Sequence, residues 1–302
     1  MPASLSPLIV GNQTFKWGAR TYVMGILNVT PDSFSGDGIL ARGEAVPTAL
    51  EQARRFIAAG ADVLDVGGES TRPGSQPLEL EEERQRVVPV VKALVEEIPG
   101  ALISVDTYKA AIAEEALAEG AGIINDVWAL RADPRLRDVI ARAKCPVILM
   151  HNRSNPASVE IRAQLGSAYA GSEYKDLIAD VKRELMESVA LARGAGIADE
   201  GIILDPGLGF GKKVEQNLEL INRLDEIRGM GFPVLLGPSR KSFIGYTLDL
   251  PPDQRLEGTA AAVAVGIVRG ADVIRVHDVE AMARVAKMTD ALVRNAAPES
   301  RS

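Results

Sequence analysis

Apolar runs of four to eight residues recur along the chain, bounded mostly by Gly, Pro, Ala, Asp or Asn. They are TYVMGILN (21–28), DVLDVG (62–67), LISVD (102–106), GIINDV (122–127), PVILMH (146–151), GIILD (201–205), PVLLG (233–237) and DVIRVH (272–277). Each is rich in Val, Ile and Leu without in–out alternation, which predicts strands buried on both faces of a parallel sheet. Between them, residues 44–60, 81–98, 172–196, 214–231, 256–271 and 279–296 repeat apolar positions at a helical period. Gly60, Gly120 and Gly270 fall where helix C-caps are expected. Pro47 fits a first helical turn, whereas Pro89 predicts a kink or an earlier helix start than the pattern suggests.

Eight strands each followed by a helix predict an α/β (β/α)8 TIM barrel, read here as a single domain over residues 1–302. Within residues 1–20, LIVGNQTFKWG reads as a β-hairpin turning at Gly11-Asn12 and placed to plug the barrel bottom. The polar end APESRS (297–302) reads as a frayed tail.

Composition changes this picture only by exclusion. A net charge of −7 argues against general nucleic-acid binding, which needs a basic surface to displace counterions. The longest apolar run, TAAAVAVGIV, is far short of a membrane span of ~20 residues, and MPASLSPLIV shows no leader pattern. The lone Cys145 allows no intrachain disulfide and reads as a small core residue, so the expected setting is a reducing cytoplasm.

The strand ends carry the candidate chemistry. Barrel enzymes place reactive groups at the C-terminal ends of strands, and Asn28, Asp65, Asp106, Asn125, His151, Asp205 and His277 all fall there. NVTPDSFSGDG after the first strand reads as a lid that closes on substrate, against the alternative of a surface loop with Phe34 pinned to the barrel. GGESTRPGS offers the Thr71 hydroxyl and the Arg72 fork beside flexible glycines. DPGLGFGK lacks the spacing of a phosphate-binding P-loop. Its Asp205 can instead accept two parallel N–H bonds from a 2-amino-4-oxo-pyrimidine edge, with Lys241 of GPSRKSFIG donating to the other edge. Asp106 has a helix-capping alternative, against which the surrounding pattern favours the site, and Asn125 a backbone-pairing one. His151 is equally a satisfied core histidine or a substrate contact.

Arg275 and His277 lie two apart on one strand and so share a face. Together they suit a compact anion, and with Asn28 on the next strand the expected ligand is a pyrophosphate carrying Mg2+. The competing role for His277 is a helix-cap companion of Asp278.

MGILNVTPDSFSGDG, GADVLDVGGESTRPG, VDTYKA, NDV, LMH, DPGLGFGK, SRKSFIG and RVHDV occur here in the order of the dihydropteroate synthase family, which the chain resembles from about residue 21 to 280. The resemblance implies a folate-pathway transferase and sulfonamide target that joins 6-hydroxymethyl-7,8-dihydropterin pyrophosphate to p-aminobenzoate. It implies pterin contacts at Asp106, Asn125, Asp205, Lys241 and Arg275, and pyrophosphate contacts at Asn28, Arg275 and His277. It further implies aminobenzoate contacts at Thr71, Arg72, Pro73, Phe210 and Ser242, with Asn28 as the Mg2+ ligand. Catalytic weight falls on Asp106, Lys241, Arg275 and His277, in a homodimer. Trp128 in NDVWAL stands where the family pattern has small residues, HNRSNP after His151 is unusual, and Pro238 stiffens the approach to Lys241. The rival readings are a pterin-dependent methyltransferase domain and a non-catalytic pterin-binding paralogue.

Overall fold

The computed structural model describes residues 5–29, 45–70, 75, 77–155, 158–162 and 165–294. A hairpin of β1 (Leu8–Val10) and β2 (Gln13–Phe15) leads into β3 (Tyr22–Asn28) and α1 (Ala45–Ala59). Then come β4 (Val63–Gly67), α2 (Leu80–Glu97), β5 (Ile103–Asp106), α3 (Ala110–Ala118), β6 (Ile123–Asp126), α4 (Leu136–Ala143) and β7 (Val147–Met150). A second hairpin, β8 (Val159–Arg162) and β9 (Gly166–Tyr169), precedes α5 (Leu177–Gly194) and β10 (Ile202–Asp205). The chain finishes with α6 (Val214–Asn222), α7 (Leu224–Arg228), β11 (Leu235–Leu236), α8 (Ser242–Leu248), α9 (Leu256–Val268), β12 (Val273–Val276) and α10 (Val279–Val293).

Eight parallel strands pair in the order β10-β7-β6-β5-β4-β3-β12-β11. A parallel bridge between Leu204 and Val234 joins the two ends, so the sheet closes as the expected barrel. The α1, α3, α5 and α9 helices end alike: the residue after the positive-φ glycine bonds back five residues, as in Ala61 N to Phe56 O and Ala271 N to Gly266 O. Pro89 sits inside α2, whose first residue is Leu80. The stretch read as one helix over 214–231 divides at Arg223, whose φ of −113° leaves the helical range. Among the described residues no helix is long and apolar enough to cross a membrane.

Inward-facing positions explain where the chemistry can sit. Tyr22, Met24, Val63, Leu102, Ile123, Ile148, Ile203, Leu235 and Val273 form one buried apolar layer, drawn from all eight barrel strands or the residue beside them. The hairpin closes it from below through Leu8, Val10 and Phe15. Side chains two apart on a strand share a face, and two residues further along stand Asp65, Ser104, Asn125, Asp205, Gly237 and Arg275. Five strands thus change from an apolar floor to a polar mouth in one step, whereas β3 and β7 carry Ile26 and Met150 at that level.

Candidate active site

Strand register builds the mouth. Asn28 pairs in register with Gly67, Gly67 with Asp106, and Asp106 with Asn125 across β3, β4, β5 and β6. A methyl group placed on Gly67 would lie 3.8 Å from both Asn28 Oδ1 and Asp106 Oδ2, so those two oxygens converge over the one residue without a side chain.

Arg275 reaches across this row. Its Nε donates to Asp65 Oδ2 at 2.6 Å and its Nη2 to Asp106 Oδ2 at 2.7 Å. Asn125 Nδ2 donates to the same Asp65 oxygen at 3.1 Å. Asp65 is fully buried, and its Oδ1 has no hydrogen-bond partner among the described residues. Burial pushes the Asp106 carboxyl up to about 7, although the Arg275 guanidinium pulls it back down. Asp65, Asp106 and Arg275 therefore form a tense group in which one cation serves two carboxylates.

The opposite side is built by the segments after β10 and β11. Asp205 Oδ1 accepts from Gly207 N at 2.7 Å, and burial raises its carboxyl against the pull of Lys241. Lys241 Nζ donates to Leu208 O at 2.5 Å and lies 4.8 Å from the centre of the Phe210 ring. Burial lowers that ammonium to about 8. Lys241 is aimed by a turn in which its N–H donates to Pro238 O at 3.2 Å, as a stiffened approach requires. The intervening Arg240 takes a φ of +57°, a left-handed conformation with a cost for a side chain. Its ion pair to Asp278, with Nε to Oδ2 at 2.9 Å, and the Arg255 contact to its carbonyl at 2.9 Å hold it there.

His277 lies just beyond β12 and turns to Ser239, with Nδ1 and Oγ 3.0 Å apart. Arg275 and His277 thus share the mouth but have different partners. Ser242 opens α8 beside Lys241. Thr71, Arg72 and Pro73, and the proposed lid with Phe34, lie outside the described residues. Phe210 is buried with Val127 and Met150, and Tyr108, Trp128 and Tyr169 pack on this group. The departure at Trp128 is thus an addition to the apolar wall around Phe210.

His151 resolves as a satisfied core residue: Nε2 is 3.1 Å from Glu184 Oε2 and Nδ1 is 3.0 Å from Lys212 Nζ. Cys145 packs against the core, where burial pushes its thiol up to about 11. Three groups escaped the sequence reading as participants. Asp65 was visible as a strand-end residue, yet its pairing with Arg275 crosses 210 positions of sequence. Lys212 stands beside Lys213 in the sequence, and nothing there tells the buried one from its exposed neighbour. Lys109 binds Glu69 at 2.7 Å and Glu83 at 2.5 Å, bringing together the loop after β4, α2 and the start of α3.

No group of three His, Cys, Asp or Glu side chains that could hold a metal ion occurs among the described residues. The oxygens of Asn28 and Asp106 converging over Gly67 nevertheless suit a hard cation that takes most of its ligands from phosphate and water.

The sequence pattern of the pterin binding enzyme family matches residues 24–277. A dihydropteroate synthase of Clostridium beijerinckii is 47% identical over 288 residues, covering 94% of this chain and 99% of its own. The crystal structure of a Clostridium difficile dihydropteroate synthase obtained with pteroic acid superposes with a TM-score of 0.84 at 45% identity, covering 93% and 99% of the two chains. That of the Xanthomonas albilineans enzyme with 4-aminobenzoic acid gives 0.84 at 39% identity, covering 97% and 99%. The chain belongs to the dihydropteroate synthase family of pterin-binding enzymes.

Proposed function

We propose that this chain condenses 6-hydroxymethyl-7,8-dihydropterin pyrophosphate with p-aminobenzoate, giving 7,8-dihydropteroate and pyrophosphate. The observation that carries this reading is the joining of Arg275 to Asp106 and Asp65 at one side of the mouth, with Asp205 and Lys241 at the other. Asp205 and Lys241 offer an acceptor and a donor to the pterin ring, while Asp106 and Asn125 face it from β5 and β6. Arg275, His277 and Asn28 take the pyrophosphate, and Asn28 would be the chain's ligand to Mg2+. A bound Mg2+ would neutralise charge on the leaving group. Thr71, Arg72, Pro73, Phe210 and Ser242 would receive the aminobenzoate.

The chemistry follows from these placements. The bond between the pterin methylene and the pyrophosphate oxygen breaks with its electron pair leaving on the oxygen. Arg275 and His277 disperse that charge. The cation left behind is conjugated with the dihydropterin ring, and the ionised Asp106 stabilises it. The lone pair of the aromatic amine then forms the new C–N bond, and the amine loses a proton to water. No nucleophile from the protein is needed.

A homodimer and a cytoplasmic setting complete the reading. α9 is apolar nearly all round, a composition expected of a helix covered on every side, yet Val265 and Val268 are 44% and 57% exposed. Met288 and Leu292, on the α10 that packs against α9, are 60% and 69% exposed. A second copy of the chain would cover these side chains. The cytoplasm suits a chain with one cysteine. The function is tested by incubating both substrates with Mg2+ and detecting dihydropteroate by mass spectrometry. Turnover by the wild type, with a higher Mg2+ requirement in Asn28→Ala, is expected; pterin binding without turnover would instead mean a non-catalytic paralogue.

A further inference from the structure

Lys212 is 3% exposed, beneath the segment 206–213 that joins β10 to α6. Its Nζ meets three acceptors: Gly207 O at 2.9 Å, Phe210 O at 3.1 Å and His151 Nδ1 at 3.0 Å. Only a protonated amine supplies three donors. The other ring nitrogen, Nε2, faces the Glu184 carboxylate, which two Arg153 nitrogens hold through Nε, at 3.1 Å to Oε2, and through Nη2. A carboxylate accepts and does not donate, and an ammonium donates, so these two contacts together call for a neutral Nε2–H ring at His151 whose Nδ1 accepts from Lys212.

The segment itself is shaped to use this cation. Gly207, Gly209 and Gly211 take φ values of +71°, +81° and +67°, and alternate with Leu208 and Phe210. The carbonyls at 207 and 210 meet Lys212, whereas that of Leu208 meets Lys241. Asn217, buried in α6, accepts from Gly209 N at 2.6 Å and fixes the middle of the segment. Two lysines therefore grip one glycine-rich segment, one from inside the wall and one from the mouth.

We propose that Lys212 is a positioning residue. Oriented by Glu184 through His151, its ammonium sets the backbone so that Leu208 O holds Lys241 and Phe210 lies under it. Burial pulls the Lys212 amine down to about 7, opposed by the nearby Asp205. Three acceptors leave no room for a nitrogen lone pair, so the charged form is the one this arrangement selects. His151 is held well below its ordinary value, to about 4, by burial and by Lys212, with Glu184 opposing and Arg131 assisting. Arg153 and Tyr174 complete its surroundings.

The kinetic half of the test rests on the proposed synthase activity. Steady-state constants are measured per folded chain for the wild type, Lys212→Met and Glu184→Gln. Lys212→Met should lower kcat/KM for the pterin substrate about 10²-fold, the effect of an ångström-scale misplacement. Glu184→Gln should move it in the same direction by less. A lower melting temperature with unchanged constants would show a merely structural lysine and overturn the proposal. A wild type that forms no dihydropteroate would refute the synthase reading instead, and the positioning claim is then decided by imidazole 15N NMR. The chain has two histidines, so two rings give the whole spectrum. His151 should show the neutral Nε2–H tautomer throughout the neutral range, and should begin to titrate there in Lys212→Met. An Nδ1–H or doubly protonated ring in the wild type would contradict the proposal. If Lys212→Met does not fold, the wild-type tautomer and the Glu184→Gln constants decide it.

Discussion

The reactivity of the mouth comes down to charges that burial has moved from their ordinary values. Asp106 is raised to about 7 and Lys241 is lowered to about 8, both by burial. The proposed mechanism needs the first ionised and the second protonated. The profile of kcat/KM for the pterin substrate should therefore be bell-shaped, rising through about 7 and falling through about 8. Steady-state rates across pH check this, and Lys241→Arg should remove the alkaline limb. Stability should show the same tension. A carboxyl raised in the folded state favours folding below its ordinary value of 3.8, and that advantage is lost as pH rises through about 7. Asp106→Asn should thus melt higher than the wild type at pH 8, with the difference vanishing near pH 4, as calorimetry would show. That Asp106, Asn125, Asp205, Lys241, Arg275 and His277 meet at the mouth was legible because each stands at or just after the end of an apolar run. The pairing of Arg275 with Asp65 was not, since only barrel closure brings β12 near β4.

At the scale of elements, the segment after β10 shows what glycine makes possible. A Cβ at Gly207 would lie 1.8 Å from the His151 carbonyl oxygen, on backbone that cannot yield cheaply. Gly207→Ala should cost at least about 3 kcal/mol, combining left-handed strain with overpacking. Gly11→Ala is the control: φ is +55° there too, but nothing lies within 4 Å, so about 1 kcal/mol is expected. Urea unfolding of the two variants measures the difference. DPGLGFGK announced such a segment, whereas the alternating carbonyls gripped by Lys212 and Lys241 could not be read from it. The β8–β9 hairpin was missed because its strands are four residues long and every described side chain of β9 is half-buried. Without one buried face a strand has no alternation to read. Its Tyr169 still packs against Phe210 at 5.9 Å between ring centres. The break at Arg223 was hidden because the apolar period continues through it: Leu220, Leu224 and Ile227 are all fully buried.

For the molecule as a whole, the barrel was legible because eight buried strands with intervening helices admit few other closures, and the hairpin because the turn pair Gly11-Asn12 divides two short strand-like stretches. The proposed homodimer rests on less, namely apolar residues on α9 and α10 that a lone chain leaves in water. Val268→Glu should shift light-scattering mass from dimer to monomer without unfolding the barrel, and an unchanged mass would place the partner surface elsewhere. The two rival readings differ from the proposed one in whether the pterin–oxygen bond breaks with departure of pyrophosphate. Pyrophosphate release from the pterin substrate with Mg2+, measured with and without p-aminobenzoate for the wild type and Asp106→Ala, addresses that bond directly. Release that depends on Mg2+, yields dihydropteroate when the amine is present and collapses in the variant is expected. Release undiminished in Asp106→Ala would contradict the role given to that carboxylate, and pterin binding with no release under either condition would contradict the activity itself.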